Sequence, residues 1–138
     1  MTIPDDLCFS QSLRIDPSLT VPQVSDKFSG FVDMPPVFAT AFLVGFVESV
    51  CIEALRPYLG PELKTVGVHV NMSHCAATPV GMQVTAEVKL KAIDGNHLTF
   101  DVRCHDETDL ISSGTHERFI VKAERFLNKV AEKQNKSR

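Results

Sequence analysis

The sequence lacks the excess of positive charge that is typical of proteins that bind nucleic acids or membrane surfaces. Its 14 Lys and Arg residues are outnumbered by 17 Asp and Glu residues, which gives a formal net charge of −3 at pH 7 and a pI of about 5.9. This balance provides no overall basic field, so neither nucleic acid nor a membrane is an expected partner. An anionic ligand would have to be bound by a local group of basic side chains.

Paired cysteine motifs and an export signal are also missing. The four cysteines (Cys8, Cys51, Cys75 and Cys104) lie far apart among apolar or small residues, with no Cys-x-x-Cys pair. This spacing favours reduced thiols and a cytoplasmic location. The first residues, MTIPDDLCF, have neither the basic start nor the apolar core of a signal peptide.

Long hydrophobic runs are limited to one stretch, from Val37 to Leu55. It is at the short end for a membrane span and contains Glu48 and Glu53, so a buried helix in a soluble domain is the better interpretation. With 138 residues, 43% of them hydrophobic, we expect a single domain over residues 1–138.

The order of the predicted elements is a strand, a long loop, one apolar helix and then further strands. Residues 16–36 are rich in Pro and Gly and form a lid-like loop. Pro35 and Pro36 favour a helix start there, and Pro57 ends the helix after about Arg56. Period-two patterns predict the strands 7–15, 65–74, 82–93, 97–106 and 110–124, followed by a charged tail over 128–138.

Two of these strands show which side chains face the helix. The inward set comprises Val84, Ala86, Val88, Leu90 and Ala92 on one strand and Leu98, Phe100, Val102 and Cys104 on the next. A helix that is apolar on nearly every side needs cover on nearly every side, and a curved antiparallel sheet supplies it. One sheet would leave part of the helix or an edge strand bare, so we expect pairing with a second copy.

Three sequence blocks carry a family resemblance. The runs PPVFATAFLVGFVESVCIEALRPYL, VGVHVNMSHCAATPVGMQVTAEV and SSGTHERFIV resemble the hot-dog-fold fluoroacetyl-CoA thioesterase and its thioesterase-like relatives over about residues 35–130. The resemblance implies an α+β hot-dog fold, with one long helix wrapped by a curved antiparallel sheet, in a homodimer. It also implies a hydrolase of short-chain acyl-CoA thioesters that needs no cofactor, since coenzyme A is part of the substrate.

The same blocks supply candidate site residues. Matched position by position, the resemblance implies catalytic roles for Thr40 in FATAF, Glu48 in GFVES and His74 in MSHCAATP. It implies that Gly67 lines the acyl pocket and that Arg118 binds substrate.

The acyl group itself is expected to lie near aromatic and thioether side chains. Phe31, Met34 and Phe38 are the candidates. One position departs from the fluoroacetyl enzyme, whose lid phenylalanine is replaced by Met34. The resemblance therefore implies an acyl-CoA thioesterase without specifying a fluoroacetyl substrate.

Thioester hydrolysis needs a base or nucleophile near the carbonyl carbon, a donor for the oxyanion and a proton for the thiolate. Glu48, flanked by apolar residues, suits the first task; the alternative is a Glu at the sheet margin with its carboxylate in water. Thr40 is eight residues away, roughly 12 Å along a helix axis. We therefore expect either a substrate that bridges them or a composite site at a dimer interface. Alternatively, the Thr40 hydroxyl bonds back to the preceding helical turn.

Other chemistry is less well supported. A metal site is not expected, because His69 and His74 would lie on opposite strand faces and no further ligand completes a set. A Cys51 or Cys75 nucleophile lacks a neighbour that would lower its pKa. His105, His116 and the acidic HDETD turn over residues 105–109 are interpreted as solvated hairpin ends. The candidates for the CoA phosphates, besides Arg118, are Lys64, Lys89, Lys91 and Arg103.

Two other functions are compatible with this fold. One is a non-catalytic hot-dog protein that binds acyl-CoA or a small hydrophobic molecule, although a binding pocket gains nothing obvious from a desolvated acid. The other is a hot-dog enoyl-CoA hydratase or dehydratase, for which the sequence lacks an Asp-then-His arrangement at the helix start.

Overall fold

The computed structural model describes residues 2–137, which form one antiparallel sheet and two α-helices. The sheet has five strands in the order β1-β3-β4-β5-β2. This arrangement confirms the expected α+β class. The elements are β1 (Cys8–Arg14), α1 (Thr40–Leu55), β2 (Leu63–Met72), β3 (Gln83–Asp94), β4 (His97–His105), β5 (Leu110–Lys122) and α2 (Ala123–Lys136).

The core lies between the inner face of the sheet and one side of α1. The inward residues predicted on β4 are all buried, as are those on β3 as far as Leu90. Ala92 is exposed, contrary to the prediction, because an irregularity in the β3–β4 pairing between Leu90 and Ala92 shifts the alternation of side chains. The helix contributes Leu43, Val47, Val50, Cys51, Ala54 and Leu55 to this core.

Helix α1 begins at Thr40 and not at Pro35 and Pro36. Val37 and Phe38 form isolated β-bridges with Pro79 and Thr20 instead. The Ala39 N–H then donates to the Leu19 carbonyl at 3.0 Å. These backbone bonds satisfy donors and acceptors that a helix would otherwise use, and they attach the long loop to the helix start. Thr40 is consequently the first helical residue.

The loop over residues 16–36 contains three short 3-10 turns, Pro17–Leu19, Val21–Gln23 and Ser29–Phe31. At its tip Phe28 and Phe31 pack edge to face, with ring centroids 5.8 Å apart. Met34 follows and is exposed. The loop has the aromatic tip expected of a lid, and its role as a lid stays a prediction.

The C-terminal segment is more ordered than its charge suggested. Helix α2 continues to Lys136, where only a charged tail was expected, and residue 138 of that tail lies outside the described range. Phe126, Leu127 and Val130 give α2 an apolar side that is exposed. None of the helices within residues 2–137 is long and apolar enough to cross a membrane.

Candidate active site

Glu48 projects from α1 toward β5, where it meets a cation. Its Oε2 accepts a hydrogen bond from Arg118 Nη1 at 2.9 Å. The Arg118 side chain is 3% exposed and that of Glu48 is 38% exposed. A buried guanidinium needs an anionic partner, and Glu48 provides it. Among the described residues, only Oε2 of this carboxylate is in a hydrogen bond, so Oε1 is free to meet a ligand.

The guanidinium of Arg118 is held on its other side by β2. Its Nε donates to Thr65 Oγ1 and its Nη2 donates to the Thr65 carbonyl, both at 2.9 Å. Nη1 also approaches His116 Nε2 at 3.1 Å. Four of the five N–H groups of this side chain are thus engaged. Thr65 is a site residue that the sequence reasoning missed.

His116 is buried, at 1% relative exposure, so its interpretation as a solvated hairpin end is wrong. Alternation along β5 places His116, Arg118 and Ile120 on the inner face, and this periodicity is the signal that could have located the cluster. The His116 Nδ1 lies 2.9 Å from the His69 carbonyl oxygen. Burial lowers the pKa of His116, and the nearby positive charge of Arg118 acts in the same direction against the raising effect of the bond to His69.

Gly67 lies directly against the carboxylate. A Cβ atom at this position would be 2.7 Å from Glu48 Oε2 and 3.3 Å from Arg118 Nη1. The β2–β5 pairing is irregular between Gly67 and His69, which leaves Val68 without a partner residue across the ladder. The role of Gly67 as a wall of the acyl pocket stays a prediction. We call Glu48, Thr65, Gly67, His116 and Arg118 the carboxylate cluster.

Thr40 and His74 form a second group with Phe38, which we call the helix-start cluster. Thr40 Oγ1 and His74 Nδ1 are 2.6 Å apart. Because Thr40 opens the helix, no preceding turn is there to accept its hydroxyl. The rings of Phe38 and His74 meet edge to face at 6.4 Å. Burial lowers the pKa of His74, and its Nε2 is buried without a hydrogen-bond partner among residues 2–137.

The two clusters are separate within one chain. In the part of the protein that the structure describes, no hydrogen bond or ion pair links Thr40 or His74 to Glu48 or Arg118. The reason is the spacing along α1, since eight residues of helix span roughly 12 Å. The sequence therefore predicted correctly that Thr40 and Glu48 do not meet on one helix.

The remaining candidates differ in their position relative to these clusters. Burial raises the pKa of the Cys51 thiol to about 12, so this neighbour of Glu48 is a poor nucleophile at neutral pH. Lys64 lines a groove of about 390 Å³ together with Ile52, Arg56 and Thr65. Lys89 and Arg103 line a different depression, on the outer face of the sheet away from α1.

Comparison with known proteins places this chain in a family. Residues 19–124 match the family described as fluoroacetyl-CoA-specific thioesterase. The chain is similar to the fluoroacetyl-CoA thioesterase of Streptantibioticus cattleyicolor, with 38% identity over 125 residues that cover 91% of this chain and 90% of the relative.

Solved structures agree. A structure of fluoroacetyl-CoA thioesterase superposes with a TM-score of 0.93 at 36% identity and covers 96% of this chain and 98% of its own. A hot-dog-like protein from Thermanaerovibrio acidaminovorans shares the fold at 20% identity, with a TM-score of 0.80 over 95% of this chain and 93% of its own. The chain therefore belongs to the fluoroacetyl-CoA-specific thioesterase family, a family of thioester hydrolases with the hot-dog fold.

Proposed function

We propose that this protein hydrolyses a short-chain acyl-CoA thioester, with Glu48 acting on the thioester carbonyl. The observation that carries the proposal is the geometry of Glu48. A buried Arg118 holds one carboxylate oxygen at 2.9 Å, and the side chain is still 38% exposed. An ionised carboxylate with one free oxygen can take a proton from water or attack the carbonyl carbon itself.

The helix-start cluster is proposed to stabilise the oxyanion and to protonate the leaving thiolate. The first amides of a helix have no intrahelical acceptors and carry a partial positive charge, so those after Ala39 are suited to the developing oxyanion. Thr40 orients His74 through its 2.6 Å contact. His74 then relays to the leaving thiolate the proton that Glu48 takes from the attacking water, which is a modest demand because thiolates leave easily. Water supplies the oxygen that appears in the carboxylic acid product.

A second copy of the chain brings the two clusters together. Strand β2 lies at the edge of the sheet, and its Val68 and Val70 are 51% and 45% exposed. An exposed edge strand of this kind favours pairing with another strand. We propose a homodimer in which the β2 edges meet, so that the helix-start cluster of one protomer and the carboxylate cluster of the other share one substrate.

The acyl group is proposed to be small. The relative at 38% identity is a fluoroacetyl-CoA thioesterase, and solved forms of that enzyme contain fluoroacetate with CoA or acetyl-CoA. Phe31, Phe38 and Met34 would border the acyl group, with Gly67 leaving it room. Because a flexible thioether adapts more readily than an aromatic ring, Met34 favours acceptance of non-fluorinated acyl groups.

Coenzyme A is proposed to extend along the groove after Glu48. This groove contains Ile52, one helical turn beyond Glu48, and Thr65, which contacts Arg118. Of the basic residues that the sequence suggested for the CoA phosphates, Lys64 lines this groove. Arg56 lines it too, and Arg56 also pairs with Glu53. Lys89, Lys91 and Arg103 are on the exposed sheet surface, so they are less suited to the CoA phosphates.

The substitution Glu48→Gln tests the proposed function. Gln keeps an acceptor for Arg118 but cannot act as a base or anionic nucleophile, so kcat should fall on the order of 100-fold or more while the fold is retained. Thiol release from a panel of acyl-CoA substrates measures the loss. Glu53→Gln is the matched control, because Glu53 lies on the same helix and pairs with Arg56 outside the clusters.

Three results would contradict the proposal. Full turnover by folded Glu48→Gln would remove Glu48 from the chemistry. Saturable acyl-CoA binding by the wild type without thiol release would indicate the binding protein instead. Loss of double-bond absorbance with an enoyl-CoA would indicate a hydratase.

A further inference from the structure

The buried histidine of the carboxylate cluster has no role in the hydrolysis described above, yet it contacts the partner of Glu48. His116 Nε2 lies 3.1 Å from Arg118 Nη1. A guanidinium has only donors, so the imidazole nitrogen must accept this hydrogen bond and cannot carry a proton. The His116 proton is therefore on Nδ1, which donates to the His69 carbonyl at 2.9 Å.

These bonds form a directional chain from β2 to the carboxylate. The His69 carbonyl selects the imidazole tautomer, the tautomer presents a lone pair to Nη1, and Nη1 uses its second hydrogen for Glu48 Oε2 at 2.9 Å. A buried histidine whose second nitrogen is fixed by a backbone carbonyl is a rigid acceptor.

Thr65 restrains the opposite side of the same guanidinium. Its hydroxyl accepts from Nε and its carbonyl accepts from Nη2, each at 2.9 Å. The planar fork is thus fixed from two strands, β2 and β5, and only Nη1 points at the carboxylate. Arg118 is buried and already committed to these acceptors, so binding a CoA phosphate would require it to leave them.

We propose that His116 and Thr65 are positioning residues that hold the Arg118 guanidinium in the one orientation in which it fixes Glu48 Oε2 and leaves Oε1 for the substrate. This inference rests on the proposed hydrolysis by Glu48. In this arrangement Arg118 binds the Glu48 carboxylate and not the phosphates of coenzyme A. A second proton on His116 would place an N–H against Nη1 and break the chain. Arg118 and Glu48 are the charged groups on the same side of the sheet as the ring, and Glu117, on the opposite face of β5, acts on it only through its charge.

A pair of substitutions of similar size tests the positioning role. Met and Gln both approximate the length of the imidazole, but only Gln offers an acceptor to Arg118. His116→Met should lower kcat on the order of tenfold with little change in KM. The substitution misplaces the Glu48 carboxylate but leaves the substrate-binding surface unchanged. His116→Gln should recover part of this kcat loss, because its amide oxygen can accept from Arg118 Nη1.

Thermal unfolding of each variant separates positioning from loss of structure. His105→Gln is the control, since His105 lies on the outer face of the sheet beside Glu87. A folded His116→Met with the kcat of the wild type would overturn the proposal. If His116→Met does not fold, Thr65→Val, which removes the acceptor of Nε alone, must reproduce the kcat loss, and wild-type turnover by a folded Thr65→Val would overturn the role.

A spectroscopic readout is independent of turnover. Nitrogen-15 NMR of the wild-type imidazoles should show Nδ1 of His116 protonated and Nε2 unprotonated at pH 7. The opposite tautomer would refute the chain of bonds. A wild type that releases no thiol from any acyl-CoA would refute the hydrolysis itself, whereas an active wild type combined with unaffected variants would refute only the positioning.

Discussion

At the scale of single residues, the Arg118 guanidinium explains why an apolar helix carries an acid. A buried cation without a partner destabilises a protein by several kcal/mol, and Glu48 removes most of that penalty. The carboxylate is in turn oriented by the same contact, because Arg118 Nη1 donates to Glu48 Oε2 at 2.9 Å. Forming the ion pair costs little side-chain entropy of Arg118, because β2 and β5 already hold the guanidinium from the other side.

Gly67 provides the space for this pair, and Gly67→Ala tests it. The added methyl group would lie 2.7 Å from Glu48 Oε2, which is the tip of a side chain and can move. We expect a stability loss of only about 1 kcal/mol but a fall in kcat on the order of tenfold, because the carboxylate is displaced from Arg118. Urea unfolding and thiol release measure the two effects.

Gly30→Ala is the stability control, since a Cβ there meets no atom within 4 Å. It should leave the free energy of unfolding unchanged or raise it by up to about 1 kcal/mol. If Gly67→Ala retained wild-type turnover, the close approach of β2 to Glu48 would have no functional consequence.

At the scale of elements, the two helices have different tasks. Helix α1 contributes six buried residues to the core, whereas the residues of α2 are not buried. A leucine therefore contributes differently to the free energy of unfolding in each helix. Leu43 on α1 is 1% exposed and Leu127 on α2 is 63% exposed.

Leu43→Ala and Leu127→Ala form a matched pair that measures this difference. Leu43→Ala should lower the free energy of unfolding by roughly 2–5 kcal/mol, because it removes buried apolar surface and leaves a cavity. Leu127→Ala should change it by less than about 0.5 kcal/mol. Chemical denaturation of both variants gives the comparison, and an equal loss in both would mean that the apolar side of α2 is covered in solution.

The element boundaries also show where periodicity is informative. The alternation on β3 and β4 identified the core correctly up to Leu90, and it failed at Ala92, where the pairing irregularity changes the facing of the strand. Pro35 and Pro36 permit a helix start, yet α1 begins at Thr40 because the backbone of Val37 and Phe38 pairs with distant residues. Such long-range backbone pairing leaves no local signal.

At the scale of the whole molecule, the proposed site requires two chains. The helix-start and carboxylate clusters share no hydrogen bond or ion pair within the described chain. Strand β2, which contains Thr65 and Gly67 of the carboxylate cluster, lies at an edge of the sheet. The proposed dimer would complete the site and would also cover Val68 and Val70.

Subunit complementation tests the composite site. Thr40→Val and Glu48→Gln should each be nearly inactive as homodimers. Mixed dimers should contain one intact site, built from Thr40 of one chain and Glu48 of the other, so that exchange of subunits restores about a quarter of the wild-type sites in a statistical mixture. Co-expression with two affinity tags isolates the mixed dimer, and thiol release measures its activity.

The control is a mixed dimer of two differently tagged Glu48→Gln chains, which must stay inactive. A mixed dimer of the two different variants that also stays inactive would mean that Thr40 and Glu48 serve the same site from one chain. Light scattering that shows only monomers at assay concentrations would contradict the dimer itself.

The sequence by itself determined the α+β class, the central helix, the inward faces of β3 and β4 and the separation of Thr40 from Glu48. These features follow from local periodicity and from the fixed rise of a helix, so they can be predicted from the order of residues along the chain. It also carries the family resemblance, because the blocks around Thr40, Glu48, His74 and Arg118 are contiguous.

Only the tertiary structure decided the partner of Glu48. Seventy residues separate Glu48 from Arg118, and a shift of one residue in β5 would have turned Arg118 and His116 toward solvent. Whether these side chains face α1 depends on the register of a five-stranded sheet and on the irregularity at Gly67. Because the energy of a buried ion pair depends on such placement, charge alone in the sequence could not assign Arg118 to the carboxylate or bring His116 to its side.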